Sequence, residues 1–105
     1  GDTHNAWHNT LTLNDGTAVA TELGTSSVSS PGMENYLKFD DDTAKTLASD
    51  LPVLITDLNY CNLHQRGFMT VNFAHDHAVA TWHFVDTVRD KAGKVASTYS
   101  TKISA

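Results

Sequence analysis

Hydrophobic and polar residues alternate in the first quarter of the chain. The stretch LTLNDG (11–16) alternates up to an Asn-Asp-Gly turn, and TAVATEL (17–23) alternates again after it. Alternation with a period of two is typical of strands with one buried face, and Asp-Gly is a strong signal for a tight turn. The pattern predicts a β-hairpin. Residues 1–16 are polar and turn-rich overall, and Gly1, Thr3 and Asn5 favour a loop around His4 and His8.

The second half of the chain carries three more alternating stretches. They are GFMTVNFA (67–74), VATWHFVDTV (79–88) and VASTYSTKI (95–103), and the short polar segments AHDHA and DKAGK separate them. Their β-branched and aromatic residues favour strands, and the polar segments favour turns. Three strands joined by short turns predict an antiparallel meander.

A helical pattern lies between these two β-rich parts. In TAKTLASDL (43–51) the apolar residues share one helix face, Asp42 or Thr43 can cap its start, and Pro52 follows its end. MENYLKF (33–39) predicts one or two helical turns. We therefore expect a β-rich α+β fold of antiparallel strands and hairpins with one or two short helices, in a single segment over residues 1–105.

Charge and cysteine content exclude several classes of protein. The formal net charge is -5 and the sequence has no basic patch or stripe, which argues against nucleic-acid binding through bulk charge. No apolar run approaches the length of a membrane span. The single cysteine, Cys61, excludes an internal disulfide and a Cys-x-x-Cys zinc site, and we expect it to be an inert thiol. A chain that begins Gly-Asp without an initiating Met is expected to be processed or cut from a longer protein.

The first eight residues hold the strongest candidate chemistry. Asp2 and His4 stand two residues apart in a glycine-led loop, Gly-Asp-Thr-His, where both side chains can face one cation if a strand before the loop holds it. Carboxylate with imidazole is a normal mixed ligand set for a catalytic metal. His8 lies four residues after His4, which would matter on a helix, but the loop composition removes that reason for pairing them.

The other histidines have simpler interpretations. His75 and His77 flank Asp76 at a predicted hairpin turn, where exposed imidazoles are favoured over a metal site. A separate hypothesis is that the protein binds zinc through a histidine cluster. It predicts stoichiometric zinc uptake that is lost when His75 and His77 are replaced. His83 lies in the middle of a strand, where a hydrogen-bonded structural histidine is the expectation.

Three stretches of the chain stand in a characteristic order: GDTHNAWHNTL (1–11), AVATELGTSSVSSPG (18–32) and NLHQRGFMTVNFAHDHAVATWHFVDTV (62–88). Taken together, they resemble the PhoD-type alkaline phosphatases and phosphodiesterases of the calcineurin-like metallophosphoesterases. GDTHNAWHNTL is similar to that family's last metal-binding motif. AVATELGTSSVSSPG (18–32) resembles the strand and Ser-Pro-Gly loop that follow. NLHQRGFMTVNFAHDHAVATWHFVDTV (62–88) resembles the terminal hairpin, which an Arg-Gly-aromatic turn introduces. The agreement runs in order to about residue 88.

The resemblance implies the C-terminal part of a metallophosphatase β-sandwich, because the family's earlier motifs have no counterpart in this chain. It implies His4 as the first choice for a metal ligand. Asp2, which stands where the wider superfamily more often has a histidine, either binds metal or positions a neighbour. Two or more cations, iron with calcium, are implied to clamp a phosphate ester and supply hydroxide near neutral pH.

The resemblance further implies an extracellular or periplasmic parent protein, whose remaining part would complete the domain. On this interpretation the 105-residue chain alone is inactive. A different class of function stays open as an alternative, a small non-enzymatic β-rich binding module. The sequence upstream of Gly1 would distinguish the two, because metal-ligand motifs there would support the phosphatase.

Overall fold

The computed structural model describes residues 2–104 and contains six strands and two helices in this part of the chain. In chain order they are β1 (Ala6–Thr12), β2 (Ala18–Gly24), α1 (Met33–Tyr36), α2 (Asp41–Leu54), β3 (Leu58–Asn62), β4 (Gly67–Phe73), β5 (His77–Val85) and β6 (Val95–Ser104). The predicted β-rich α+β fold class is confirmed.

The first sheet has the antiparallel order β2-β1-β3. The predicted hairpin is its β1-β2 pair, closed by a turn in which Gly16 has φ 87°, a conformation that glycine adopts without steric cost. The predicted loop around His4 and His8 was wrong at His8, because β1 already begins at Ala6. Strand β3 was not predicted at all, since LNYCN lacks a regular alternation.

The second sheet is the predicted meander, in the order β4-β5-β6. Its pairs are antiparallel throughout, with Met69 opposite Trp82 and Trp82 opposite Tyr99. The sequence prediction extended the middle strand to residue 88, whereas β5 ends at Val85. The outer face of the sheet carries polar residues such as Thr81 and Ser100. Their hydroxyl groups form a hydrogen bond of 2.8 Å across the β5-β6 pair.

The two sheets pack face to face around aromatic side chains. Trp82 and Phe84 of the second sheet are fully buried together with Ala6 of the first. The Trp82 indole N–H crosses between the sheets and donates to the Gly24 carbonyl at 2.8 Å, so the buried ring keeps its polar atom satisfied. The result is a β-sandwich with one core between its two sheets.

Helix α2 covers the other face of the first sheet. Side chains alternate across β1, so Trp7 points to the helix while Ala6 points to the second sheet. The helix buries Ala44 against Leu58 and Cys61 of β3, and Leu47, Ala48 and Leu51 pack around them as predicted. The layers are therefore helix, sheet and sheet.

The ends of α2 differ from the prediction in two ways. Asp40, rather than Asp42 or Thr43, is the N-cap, and its carboxylate accepts from the Thr43 amide at 2.7 Å. The helix also continues past Pro52 to Leu54. A proline inside a helix leaves the carbonyl four residues earlier without its usual partner. That carbonyl belongs to Ala48, and the Cys61 thiol lies 3.5 Å away and donates to it.

Helix α1 is a single turn, within the one or two turns predicted. The helix follows the Ser-Pro-Gly loop and carries Glu34, which accepts a hydrogen bond from Arg66. Arg66 also donates to the His4 carbonyl, so α1 lies near the residues before β1. Among residues 2–104, neither helix is long and apolar enough to cross a membrane.

Candidate functional site: the loop before strand β1

The loop of residues 2–5 lies at one end of the first sheet, immediately before its central strand β1. Asp2 is exposed, and the Thr3 hydroxyl accepts from the Trp7 indole N–H at 2.7 Å, so the loop folds back onto the strand that follows it. His4 has a φ of 57°, in the left-handed region that few residues other than glycine adopt. Such a backbone needs contacts around it to hold it in place.

The His4 ring has a defined orientation. Its Nδ1 lies 2.8 Å from the Pro31 carbonyl oxygen. Since a carbonyl only accepts, the Nδ1 atom of His4 must carry the proton, and Nε2 of the neutral ring then has a free lone pair. Metal-binding histidines commonly have this arrangement, in which one ring nitrogen donates to a carbonyl while the other binds the cation. The residues present therefore fit a metal ligand at His4.

A buried arginine fastens this loop to the rest of the fold. Arg66 is 6% exposed and its Nη1 donates to two carbonyls, that of His4 at 2.9 Å and that of Ser30 at 3.0 Å. Its Nη2 donates to Glu34 Oε1 at 2.8 Å, which forms an ion pair. A buried guanidinium requires such a partner, because an unpaired charge in this position would be very costly.

Asn5 and Gly32 complete the group around Arg66. Asn5 is 1% exposed and its side-chain oxygen accepts from the Met33 amide at 2.9 Å, which joins the loop to the start of α1. A Cβ on Gly32 would lie 2.5 Å from Arg66 Nη1 and 2.7 Å from both Asn5 Nδ2 and Glu34 Oε2. Glycine is therefore required here for space. We refer to Asn5, Gly32, Glu34 and Arg66 as the Arg66 cluster.

Two atoms of the Arg66 cluster lack hydrogen bonds. Asn5 Nδ2 and Glu34 Oε2 are buried and have no partner in the described part of the chain. One is a donor and the other an acceptor, and both face the position where Gly32 has no side chain. Unpaired buried polar atoms are uncommon, and they often occur where a fold gives up stability to fix a particular geometry.

A cavity of about 600 Å³ lies beside the Arg66 cluster. Arg66 and Glu34 line it, but Asp2 and His4 do not. Its charged lining is balanced, with three basic and three acidic side chains: Lys45, Arg66, Arg89, Glu34, Asp41 and Asp86. This balance gives no net positive field that would draw in a phosphate ester. His64 also lines the cavity, and burial lowers the pKa of its ring below the ordinary value of 6.5.

The structure does not gather the other histidines with His4. His8 lies inside the sandwich, where Nδ1 is 3.2 Å from the Tyr99 hydroxyl and burial lowers the pKa of the imidazole. His75 and His77 lie at the β4-β5 turn, as predicted, and His77 Nδ1 is 2.6 Å from Asp76 Oδ1. Within residues 2–104, no group of three or more His, Cys, Asp or Glu side chains is placed to share a metal ion.

Two further expectations agree with the structure. His83 Nε2 lies 3.2 Å from the Thr70 hydroxyl, and its ring stacks on Phe68 with centroids 4.8 Å apart, which is a structural role. Cys61 is 4% exposed, and burial raises the pKa of its thiol to about 11. A thiol that is protonated at neutral pH is a poor nucleophile and a poor metal ligand.

Sequence reasoning assigned no role to the members of the Arg66 cluster. The hydrogen bonds of Arg66 join residues that are 62, 36 and 32 positions away, so no local pattern contains them. The available signals were the Ser-Pro-Gly end of one stretch and the Arg-Gly-aromatic turn of another. Both carried part of the family resemblance, and they meet in space at the His4 loop.

Comparison with known proteins supports the resemblance. A family model described as PhoD-like phosphatase matches residues 1–82 of the 105-residue chain. The matched part contains the His4 loop, the whole Arg66 cluster and both helices. Comparisons with curated proteins and with solved structures gave no match. Because the family match covers most of the chain, this chain belongs to the PhoD-like phosphatase family.

Proposed function

We propose that this chain is the C-terminal part of a secreted PhoD-like alkaline phosphatase or phosphodiesterase, which hydrolyses phosphate esters, and that His4 supplies one ligand of its metal centre. The observation that carries the proposal is the 2.8 Å contact between His4 Nδ1 and the Pro31 carbonyl oxygen. Because a carbonyl only accepts, Nδ1 is the donor and Nε2 of the neutral ring is free to bind a cation. The loop that carries His4 lies within the residues that the phosphatase family model matches.

His4 and Asp2 would hold the cation from this chain. The neutral imidazole of His4 offers Nε2, and the exposed carboxylate of Asp2 either ligates or orients a neighbouring donor. Iron together with calcium is the metal content we propose. When bound, such cations neutralise phosphate charge and lower the pKa of water, so that hydroxide forms near neutral pH. The Arg66 cluster fastens this loop to the Ser30 carbonyl and to the start of α1.

We also propose that the 105-residue chain alone does not hydrolyse phosphate esters. Catalytic metal sites commonly use three protein ligands, and Asp2 with His4 would supply at most two. The remaining ligands would come from a part of the parent protein outside residues 2–104. The proposed location of that parent is extracellular or periplasmic, and its phosphatase activity should accordingly be found outside the cytoplasmic membrane.

The test compares two histidine variants in the longer protein that contains this segment. His4→Ala should lose bound metal and should lower the rate of p-nitrophenyl phosphate hydrolysis by at least about 100-fold, since removal of a metal ligand costs more than loss of its supporting shell. The matched control His75→Ala alters an exposed turn histidine and should change neither. Full metal content and full activity in His4→Ala would refute the proposed role of His4.

The inactivity of the 105-residue chain is tested separately. The purified chain should not hydrolyse p-nitrophenyl phosphate after metals are removed and iron, calcium or zinc is added back. Robust hydrolysis under these conditions would show that residues 1–105 contain a complete site, and would contradict this part of the proposal.

A further inference from the structure

Arg66 connects the two chain segments on which the orientation of His4 depends. One segment is the loop that carries His4, and the other is Ser30 with Pro31. The same atom, Arg66 Nη1, donates to the His4 carbonyl at 2.9 Å and to the Ser30 carbonyl at 3.0 Å. Ser30 directly precedes Pro31, and the Pro31 carbonyl accepts a hydrogen bond from His4 Nδ1 at 2.8 Å.

We propose that Arg66 is the positioning residue of His4, and that it selects the ring tautomer whose proton is on Nδ1. By holding both carbonyls, Arg66 keeps the Pro31 oxygen opposite Nδ1. A neutral imidazole otherwise exchanges its proton between the two nitrogens, and only the Nδ1–H tautomer leaves Nε2 free to bind a cation. The value of this tautomer for metal binding rests on the proposed function, whereas the tautomer itself does not.

The shape of the guanidinium explains why arginine suits this position. Its planar fork donates to two carbonyls and to Glu34 Oε1 at the same time. A lysine ammonium carries the same charge but is a single point on a flexible stem, so it cannot reproduce that fixed set of directions. Glu34 keeps the charge paired, and this makes the burial of Arg66 tolerable.

The neighbouring members of the cluster leave Arg66 little freedom. Asn5 Oδ1 accepts from the Met33 amide at 2.9 Å, which fixes the residue after His4 against the start of α1. Gly32 brings its backbone close to Arg66 Nη1, where any side chain would intrude. The loop and the Ser30–Pro31 segment are thus held in one relative position, and the tautomer of His4 follows from it.

The test measures the His4 tautomer by nitrogen-15 NMR in the metal-free chain, above the ordinary pKa of imidazole. The unaltered chain should show His4 protonated on Nδ1. Arg66→Lys should shift the ratio of Nδ1–H to Nε2–H by about fivefold or more towards Nε2–H, the effect of losing one hydrogen bond. The matched control Arg89→Lys alters another arginine of the same cavity and should leave the ratio unchanged.

The backbone amide spectrum shows whether each variant is folded. A folded Arg66→Lys chain with the His4 tautomer of the unaltered chain would overturn the proposal. If Arg66→Lys does not fold, Glu34→Gln decides, because it keeps the shape of Glu34 while removing the charge that orients Arg66, and it should shift the tautomer in the same direction. An unchanged tautomer in Glu34→Gln, or failure of both variants to fold, would also overturn the proposal.

This result is independent of the metal experiment. The tautomer is read without any cation, so an unchanged ratio in Arg66→Lys refutes positioning by Arg66 whatever His4 binds. Conversely, if His4→Ala in the longer protein retains its metal, the proposed function fails while the effect of Arg66 on the tautomer stands.

Discussion

Replacing Gly32 with alanine measures how tightly the Arg66 cluster is packed. The new Cβ would lie 2.5 Å from Arg66 Nη1 and 2.7 Å from Asn5 Nδ2 and Glu34 Oε2. To reach ordinary contact distances these atoms must withdraw by roughly 0.7–0.9 Å. Arg66 Nη1 donates at 2.9 and 3.0 Å, so the same displacement breaks at least one of its two hydrogen bonds.

The expected cost follows from three terms. Overpacking costs about 1–3 kcal/mol. Loss of a hydrogen bond from a charged donor costs about 1.5–3 kcal/mol. Gly32 has φ -104° and ψ -161°, an extended backbone that alanine adopts freely, so its smaller unfolded-state entropy returns about 0.4–1 kcal/mol. Together these terms predict that Gly32→Ala lowers the free energy of unfolding by about 3 kcal/mol.

The assay is urea unfolding followed by tryptophan fluorescence, with Gly16→Ala as the matched control. Nothing lies within 4 Å of a Cβ at Gly16, but its φ of 87° strains any other residue. This variant should therefore lose only about 1–2 kcal/mol, through conformation alone. If Gly32→Ala were as stable as the unaltered chain, the cluster would have room for a methyl group, and the claim that glycine is required there for space would be wrong.

Three other predictions concern single residues. Cys61, with its pKa raised from 9.0 to about 11, should react with an aromatic disulfide reagent about 100-fold more slowly in the folded chain than in denaturant, and equal rates would contradict its burial. Burial lowers the pKa of His8 in the folded chain, so folding favours the neutral imidazole. This contribution to the free energy of unfolding is complete above about pH 6.5 and is lost as the pH falls through the lower pKa of the folded state. His8→Phe should reduce this acid sensitivity in thermal melts at a series of pH values, and an unchanged pH profile would show that other groups cause it. Gly67→Ala should cost about 3 kcal/mol or more in urea unfolding, because its Cβ would meet the backbone of His83 on the paired strand, and a loss below about 1 kcal/mol would disprove that contact.

Local patterns predicted the elements whose signals are contained in a few residues. The Asp-Gly turn and its alternating flanks define the β1-β2 hairpin, and the meander follows from three alternating stretches with short turns between them. Strand β3 escaped prediction because it is the third strand of a sheet with helix α2 on one face and the second sheet on the other. Cys61 and Tyr60 are therefore covered on opposite faces, and the polar alternation of a solvated strand is lost.

The helix end shows why a sound local rule gave the wrong boundary. Proline usually ends a helix because it cannot satisfy the carbonyl four residues before it. Here the Cys61 thiol, from a strand outside the helix, donates to the Ala48 carbonyl. The helix continues through Pro52, and the Ala48 carbonyl keeps a hydrogen-bond partner there. No pattern within residues 43–54 contains this information, since the donor arrives only when the helix packs on β3.

The candidate site likewise contains one residue that a local motif predicted and others that no local pattern could predict. The Gly-Asp-Thr-His motif pointed to His4, and the orientation of its ring now supports that interpretation. Arg66 and Glu34 were out of reach of local reasoning because their contact spans 32 residues. Tertiary packing decides whether a charged pair is buried. From the sequence alone, arginine and glutamate are expected at exposed positions.

The two tryptophans of the chain lie in different layers of the fold. Trp7 packs with the side chains beneath α2, and Trp82 lies in the core between the two sheets. Each indole is thus a separate optical reporter, one of helix docking and the other of sheet docking. With Trp7→Phe or Trp82→Phe, the remaining emission follows one interface alone. Coincident unfolding curves from the two variants would mean that both interfaces are lost in one cooperative step.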